Sequence, residues 1–132
     1  MIRQINKYFT DIYFNLHPTQ EEVISHQSVR ILQMVQKKRY IMIRDIAEQL
    51  SISQNTASEH VKKLVSYGWL YKERSDEDQR KVYLHLTDKG LEILKKNTEL
   101  DEDKLRVALS QLSAYEREKI VEAFRLLSEV SK

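Results

Sequence analysis

Apolar residues recur at three- and four-residue steps from the start of the chain: Ile2, Ile5, Phe9, Ile12, Tyr13 and Leu16. This spacing predicts an amphipathic helix over residues 2–16, which Pro18 then stops. Thr19 and Glu22 form a T-x-x-E box, in which two side chains satisfy the free amide hydrogens of a helix start. A second helix is therefore predicted to about Lys37, burying Val23, Ser28, Ile31, Leu32 and Val35. "KKRY" follows, and "IMI" reads as a short strand or an extended lead-in to the next helix.

Residues 44–50, "RDIAEQL", make a short helix with Ile46, Ala47 and Leu50 inward. "SIS" breaks it, and Ser53 is placed to cap a new helix from about Gln54 to Tyr67. Gly68 sits just past that helix, where a left-handed residue is wanted. "WLYKE" and "KVYLHL" then alternate with period two, as half-buried strands do, and the polar stretch between them is a hairpin tip. Thr87 caps one long helix with Leu91, Leu94, Leu105, Ala108, Leu109 and Leu112 among its apolar positions. Ser113 and Glu116 form a second capping box and open a last helix, with Ile120, Val121, Phe124 and Leu127 on one side. The fold expected is mainly α with a small β-hairpin: a helix–turn–helix followed by a wing, flanked by terminal helices.

Composition narrows this picture in a few places. A chain of 132 residues suits one domain with a real core. Two glycines and one proline argue against an all-β fold. The absence of cysteine excludes disulfides, thiolate metal sites and thiol-based redox sensing. Arg3, Lys7 and Asp11 interrupt what would be the apolar core of a signal peptide, and no apolar run approaches a membrane span, so a cytoplasmic protein with no membrane partner is expected. The net charge of +2 is too small to identify a nucleic-acid binder. Placement of charge has to do that.

The stretch "IRDIAEQLSISQNTASEHVKKLVSYGWL", the wing "DEDQRKVYLHLT" with its D-x-R at Asp78 and Arg80, and "LTDKG" opening the next helix together resemble the MarR family of bacterial transcription regulators. The resemblance covers about residues 20–97. It implies a single MarR-like domain over 1–132, with a DNA-binding lobe at about 20–97 and dimerisation helices at about 1–18 and 98–132. It also implies a homodimer on double-stranded DNA, each subunit placing one helix in the major groove and one hairpin in the minor groove. Members commonly repress nearby genes and release DNA when a small-molecule effector or an oxidant acts; the lack of cysteine argues against the thiol-oxidation branch.

The residues point the same way. In the helix from Gln54, the stripe Ala57, His60, Val61 and Leu64 packs inward, leaving Gln54, Asn55, Ser58, Glu59, Lys62 and, obliquely, Lys63 on the other side. Amides and hydroxyls can donate and accept toward base edges, while lysines neutralise phosphates. Ser53 and Thr56 at the helix start complete the candidate set. An ordinary solvated face would have the same polarity; the turn and wing favour DNA reading. Glu59 could accept from a cytosine amino group or discourage wrong contacts, but an intrahelical pair with Lys62 or Lys63 is the favoured reading. At the hairpin tip Arg80 is the probing cation, since a narrow minor groove concentrates negative potential. Asp78 would orient it through charge-assisted hydrogen bonds. Asp76 and Glu77 would lower non-specific attraction, and Arg74 and Lys81 would flank the phosphate backbone.

Other chemistries find less support. His60, on the packed stripe, reads as a core-edge histidine bonded to backbone. Glu22 and His26 could share a metal but lack a third ligand, so no metal or cofactor is expected, and a metal-responsive regulator stays an alternative. No glycine-rich phosphate loop, nucleophile motif or ligand cluster suggests an enzyme. A winged helix used for protein contacts is the other alternative. The first helix lacks the strongly basic polar face of a membrane-surface helix, so packing against a partner subunit explains its apolar residues better. Phe9, Tyr13, Phe14 and Trp69 could line an effector pocket, though each suits plain core.

Overall fold

A computed structural model describes residues 1–19 and 22–132. In chain order the helices are α1 (Ile2–Leu16), α2 (His26–Lys37), α3 (Ile43–Leu50), α4 (Gln54–Ser66), α5 (Asp88–Thr98), α6 (Glu102–Ser110) and α7 (Ala114–Val130), with strands β1 (Leu70–Arg74) and β2 (Val82–Leu86) between α4 and α5. The chain divides into two compact units, one of Thr19–Glu99 and one of Met1–Pro18 with Leu100–Lys132.

The first unit is a winged helix around one apolar core. Ile31 and Leu32 of α2, Ile46 of α3, Val61 and Leu64 of α4, Leu70 and Leu84 of the hairpin and Leu94 of α5 are all buried. Each such side chain stabilises the fold by about 1.5–3 kcal/mol through removal from water. The turn between α3 and α4 is set locally. Ser51 takes φ 54° to end α3, and the Ile52 N–H reaches back to the Ala47 carbonyl at 3.0 Å. The Ser53 hydroxyl then accepts the Thr56 N–H at 3.0 Å and opens α4, as the sequence predicts.

The far end of α4 is fastened by "LTDKG". Gly68, at φ 79°, turns the chain out of the helix, and the Trp69 N–H returns to the Leu64 carbonyl at 3.0 Å. The Thr87 hydroxyl donates to the Gly68 carbonyl and accepts the Gly90 N–H at 2.9 Å, while its own N–H bonds the Trp69 carbonyl at 3.1 Å. Lys89 Nζ reaches the Tyr67 carbonyl at 3.3 Å. The backbones of Gly90 and Trp69 come so close that a Cβ on Gly90 would lie 2.0 Å from the Trp69 oxygen. Thr87, Lys89 and Gly90 therefore act together to fix where α4 ends relative to α5.

β1 and β2 pair antiparallel from Leu70↔Leu86 to Arg74↔Val82. "IMI" proves to be the extended lead-in, bonded once to the wing from the Leu84 N–H to the Ile41 carbonyl at 2.8 Å. The predicted in-out alternation is weak. Only Leu70 and Leu84 of the strands are buried, and Tyr71 to Arg74 are all exposed, because a projecting hairpin has no second layer to cover it.

Two predicted boundaries are corrected. The Thr19–Glu22 box does not open α2: residues 22–25 are non-helical, Val23 is 77% exposed, and the Ser25 hydroxyl accepts the Ser28 N–H at 3.1 Å instead. Gln20 and Glu21, inside that box, lie outside the described residues. Starting at Ser25 still brings Ile31, Leu32 and Val35 into the core, whereas an earlier turn would gain no burial for Val23. The long helix after Thr87 is two helices. Asp101 accepts the Lys104 N–H at 2.9 Å and restarts the chain as α6, and Ile93, absent from the predicted apolar set, is buried beside Leu94.

In the second unit, the end of α1 is tied to the start of α6. The Asp101 N–H donates to the Leu16 carbonyl at 2.8 Å and Lys104 Nζ to the His17 carbonyl at 3.0 Å, which satisfies carbonyls left over at the helix end. Ser113 and Glu116 make the predicted reciprocal box at the start of α7, at 3.1 and 3.0 Å. None of α1, α6 and α7 buries a side chain fully, and Phe9, Phe14, Val121 and Leu127 are more than half exposed. Among the described residues no helix is long and apolar enough to cross a membrane.

Candidate nucleic-acid interface

Along α4, the inward stripe is as predicted: Ala57, Val61 and Leu64 are buried. Gln54, Asn55, Glu59, Lys62 and Lys63 are exposed, and Ser58 is half-buried. Asn55, Thr56, Glu59, Lys62 and Lys63 share one shallow groove of about 600 Å³, so the helix brings five predicted residues onto a single surface. Ser53 and Thr56 also bond one another, hydroxyl to hydroxyl at 2.9 Å, which commits part of their capacity to the cap.

Two details differ from expectation. Glu59 makes no ion pair among the described residues, although Lys62 and Lys63 lie three and four positions on. Such exposed pairs gain so little that the rotamer entropy of two long side chains outweighs them. His60 is half-buried and, among the described residues, makes no hydrogen bond to backbone.

The wing tip is ordered by its own polar groups. The Ser75 N–H donates to the Lys81 carbonyl and the Lys81 N–H to the Asp78 carbonyl, each at 2.9 Å, while the Asp78 N–H reaches the Ser75 hydroxyl at 3.3 Å. Asp78 Oδ1 accepts the backbone N–H of Arg80 at 3.0 Å and its Nε at 3.1 Å, and Oδ2 accepts Nη2 at 3.2 Å. The Arg80 side chain is nevertheless 91% exposed. It is oriented without being covered. Lys81, Asp76 and Glu77 are exposed, while Arg74 turns its guanidinium onto the wing, donating to the Gln79 carbonyl at 2.6 Å.

The Arg80 guanidinium, and after it the Arg80 backbone N–H, hold the Asp78 carboxyl below its usual range. A depressed carboxyl favours the folded arrangement above its ordinary value and loses that contribution as pH falls through the lowered one. In an NMR titration the Asp78 midpoint is expected to rise in Arg80→Ala. An unmoved midpoint would mean that the pair is not formed in solution.

The remaining candidates separate. Trp69 is buried and packs against Tyr67 with ring centroids 4.9 Å apart, so it belongs to the core. Phe9, Tyr13 and Phe14 are exposed on α1. Among the described residues no three His, Asp or Glu side chains group as metal ligands.

Residues 24–82, the stretch from the lead into α2 through the start of β2, match the family model described as MarR family. Over that stretch the chain is similar to the MarR family, and its fold is a winged helix. It is 25% identical over 128 residues to the HTH-type transcriptional regulator MgrA of Staphylococcus aureus, covering 97% of this chain and 80% of MgrA. A MarR-like transcriptional regulator from Thermotoga maritima shares the fold with a TM-score of 0.66 at 22% identity, over 99% of this chain and 94% of that one. S. aureus MepR, solved bound to ethidium bromide, does so with a TM-score of 0.61 at 20% identity, over 98% and 93%. A MepR mutant was also solved bound to an oligodeoxyribonucleotide, with a TM-score of 0.55 at 22% identity over 81% of this chain and 80% of that one. The proteins it resembles are named as transcription regulators.

Residues taken singly do not reveal the fastening role of Thr87, Lys89 and Gly90 or the bond of Arg74. The motif "LTDKG" was visible, but its partners Tyr67, Gly68 and Trp69 lie about twenty residues away and only folding brings them together.

Proposed function

We propose that the chain is a sequence-specific transcriptional repressor. It binds double-stranded DNA as a homodimer on a pseudo-palindromic operator, acts in the cytoplasm, and is released by a small-molecule effector. In this reading residues of about 20–97 form the DNA-binding lobe, and about 1–18 and 98–132 dimerise within a single MarR-like domain. The observation that carries it is Arg80, an exposed guanidinium held in one direction by two bonds to Asp78 at the end of a projecting hairpin. An exposed arginine gains little fold stability from such an arrangement, whereas pre-orientation reduces the entropy lost when it enters a groove. The outer face of α4 supplies base-reading types at Gln54, Asn55 and Ser58, and phosphate-neutralising cations at Lys62 and Lys63.

The homodimer is supported by the terminal helices, whose apolar faces gain no full burial within one chain. Faces of that kind are usual at subunit interfaces. Two-fold symmetry would then present two α4 helices to half-sites about one DNA turn apart. Support for an effector comes from MepR, solved with ethidium bromide, and from an open cavity of about 890 Å³ bordered by Ser25, His60, Lys63, Trp69 and Lys89, between the lead into α2 and α4.

The test is selection of bound genomic fragments, followed by titration of a selected duplex across a salt series and sedimentation of the free protein. Two-chain particles and tight, salt-dependent binding are expected. Lys62→Ala should lower the log–log salt slope by about one, the signature of one lost phosphate contact. A one-chain particle, or no retention on any duplex at low salt, would overturn the proposal and leave the protein-contact alternative.

A further inference from the structure

We infer that Arg74 is a positioning residue for the wing, which holds the Gln79–Arg80 peptide from inside instead of neutralising a phosphate. Both polar atoms of that single peptide unit are occupied. Its carbonyl, on Gln79, accepts from Arg74 Nη1 at 2.6 Å, and its N–H, on Arg80, donates to Asp78 Oδ1 at 3.0 Å. A peptide is a rigid plane, so its remaining local freedom at a turn is rotation about the line joining its two Cα atoms. One hydrogen bond limits that rotation; opposed bonds at the carbonyl and the N–H remove it. The plane then sets the direction in which the Arg80 side chain leaves the turn.

The two basic residues divide the work by geometry. Arg74 forms the last strand pair, with Val82, so its side chain starts from the ladder and reaches across the turn to Gln79. Arg80 starts from the turn itself and is 91% exposed. Asp78 serves both ends of the arrangement, accepting from the backbone and from the guanidinium of Arg80. A cation donating to a neutral carbonyl makes a charge-assisted bond, stronger than the backbone bonds around it. By sequence Arg74 groups with Lys81 as a residue flanking the phosphate backbone; the bond to Gln79 instead places it behind the probing residue.

This inference rests on the DNA-binding reading above, and the experiment separates the two. Wild type, Arg74→Gln and Arg74→Lys are compared by duplex titration over a salt series, and by amide hydrogen exchange of the free protein at Ser75, Arg80 and Lys81. Arg74→Gln should lower affinity by roughly three- to tenfold, the scale of one rotamer-rich side chain left unordered before binding. Its salt slope should match wild type, and exchange at the three amides should quicken while thermal melting stays put. Arg74→Lys, which keeps a cationic donor, should recover part of both losses. A salt slope shallower by about one would show Arg74 on a phosphate and overturn the inference, as would exchange that does not change. If wild type binds no duplex, the DNA-binding reading falls, while the exchange comparison still decides whether Arg74 braces the turn.

Discussion

Arg80→Ala should weaken binding to a selected duplex by roughly ten- to hundredfold while the protein melts at its wild-type temperature. The size is that proposed for an arginine entering a groove, comparable to a good bidentate base contact worth about 1–3 kcal/mol. The unchanged melting follows from its surroundings. Arg80 is 91% exposed and among the described residues its side chain bonds only Asp78, so the effect on stability should stay within about 0.5 kcal/mol. The two measurements belong together, since a fall in affinity matched by a fall in melting temperature would report a damaged wing, and unaltered affinity would remove Arg80 from the interface.

Gly90→Ala should be the most damaging single-methyl change in the winged lobe. The added carbon would sit 2.0 Å from the Trp69 oxygen and 2.8 Å from its carbonyl carbon. Both are backbone atoms, so no flexible side chain can swing aside. The helix carrying Gly90 would have to move off the start of β1. That strains the Thr87 bonds to Gly68, Trp69 and Gly90 and the Lys89 bond to Tyr67. Overpacking of this kind typically costs about 1–3 kcal/mol, and the loss of several coupled bonds adds to it. Urea unfolding should show a lower midpoint by that amount, with DNA affinity reduced as well because the end of α4 is no longer fixed. A variant as stable as wild type would show that the close approach of Gly90 to Trp69 relaxes freely.

These two positions differ in how far the sequence reveals them. Arg80 stands two residues after Asp78, so its orientation is a local matter and the D-x-R spacing announces it. Gly90 is one of two glycines in the chain, yet nothing beside it says that a backbone twenty-one residues earlier will lie against its Cα. The same division runs through the caps. Ser53, Gly68 and the Ser113–Glu116 pair act within four residues of themselves, and the pattern placed them correctly. Thr19 and Glu22 carry an equally good local pattern, but Ser25 starts the helix. Glu99 to Asp101 show the reverse: a stretch whose apolar spacing runs on is broken by the Asp101 cap.

From its order of residues alone, this chain specified the element types, the turn before α4, the hairpin and the inward face of α4, because each depends on neighbours a few positions apart and on the periods 3.6 and 2. Only the folded chain decided which of two competing caps began α2 and that Arg74 bonds its own wing. The same is true of the close contact between α5 and the start of β1 that holds α4. Those outcomes turn on burial and on distances between segments remote in the chain, and such free energies have no local signature to read.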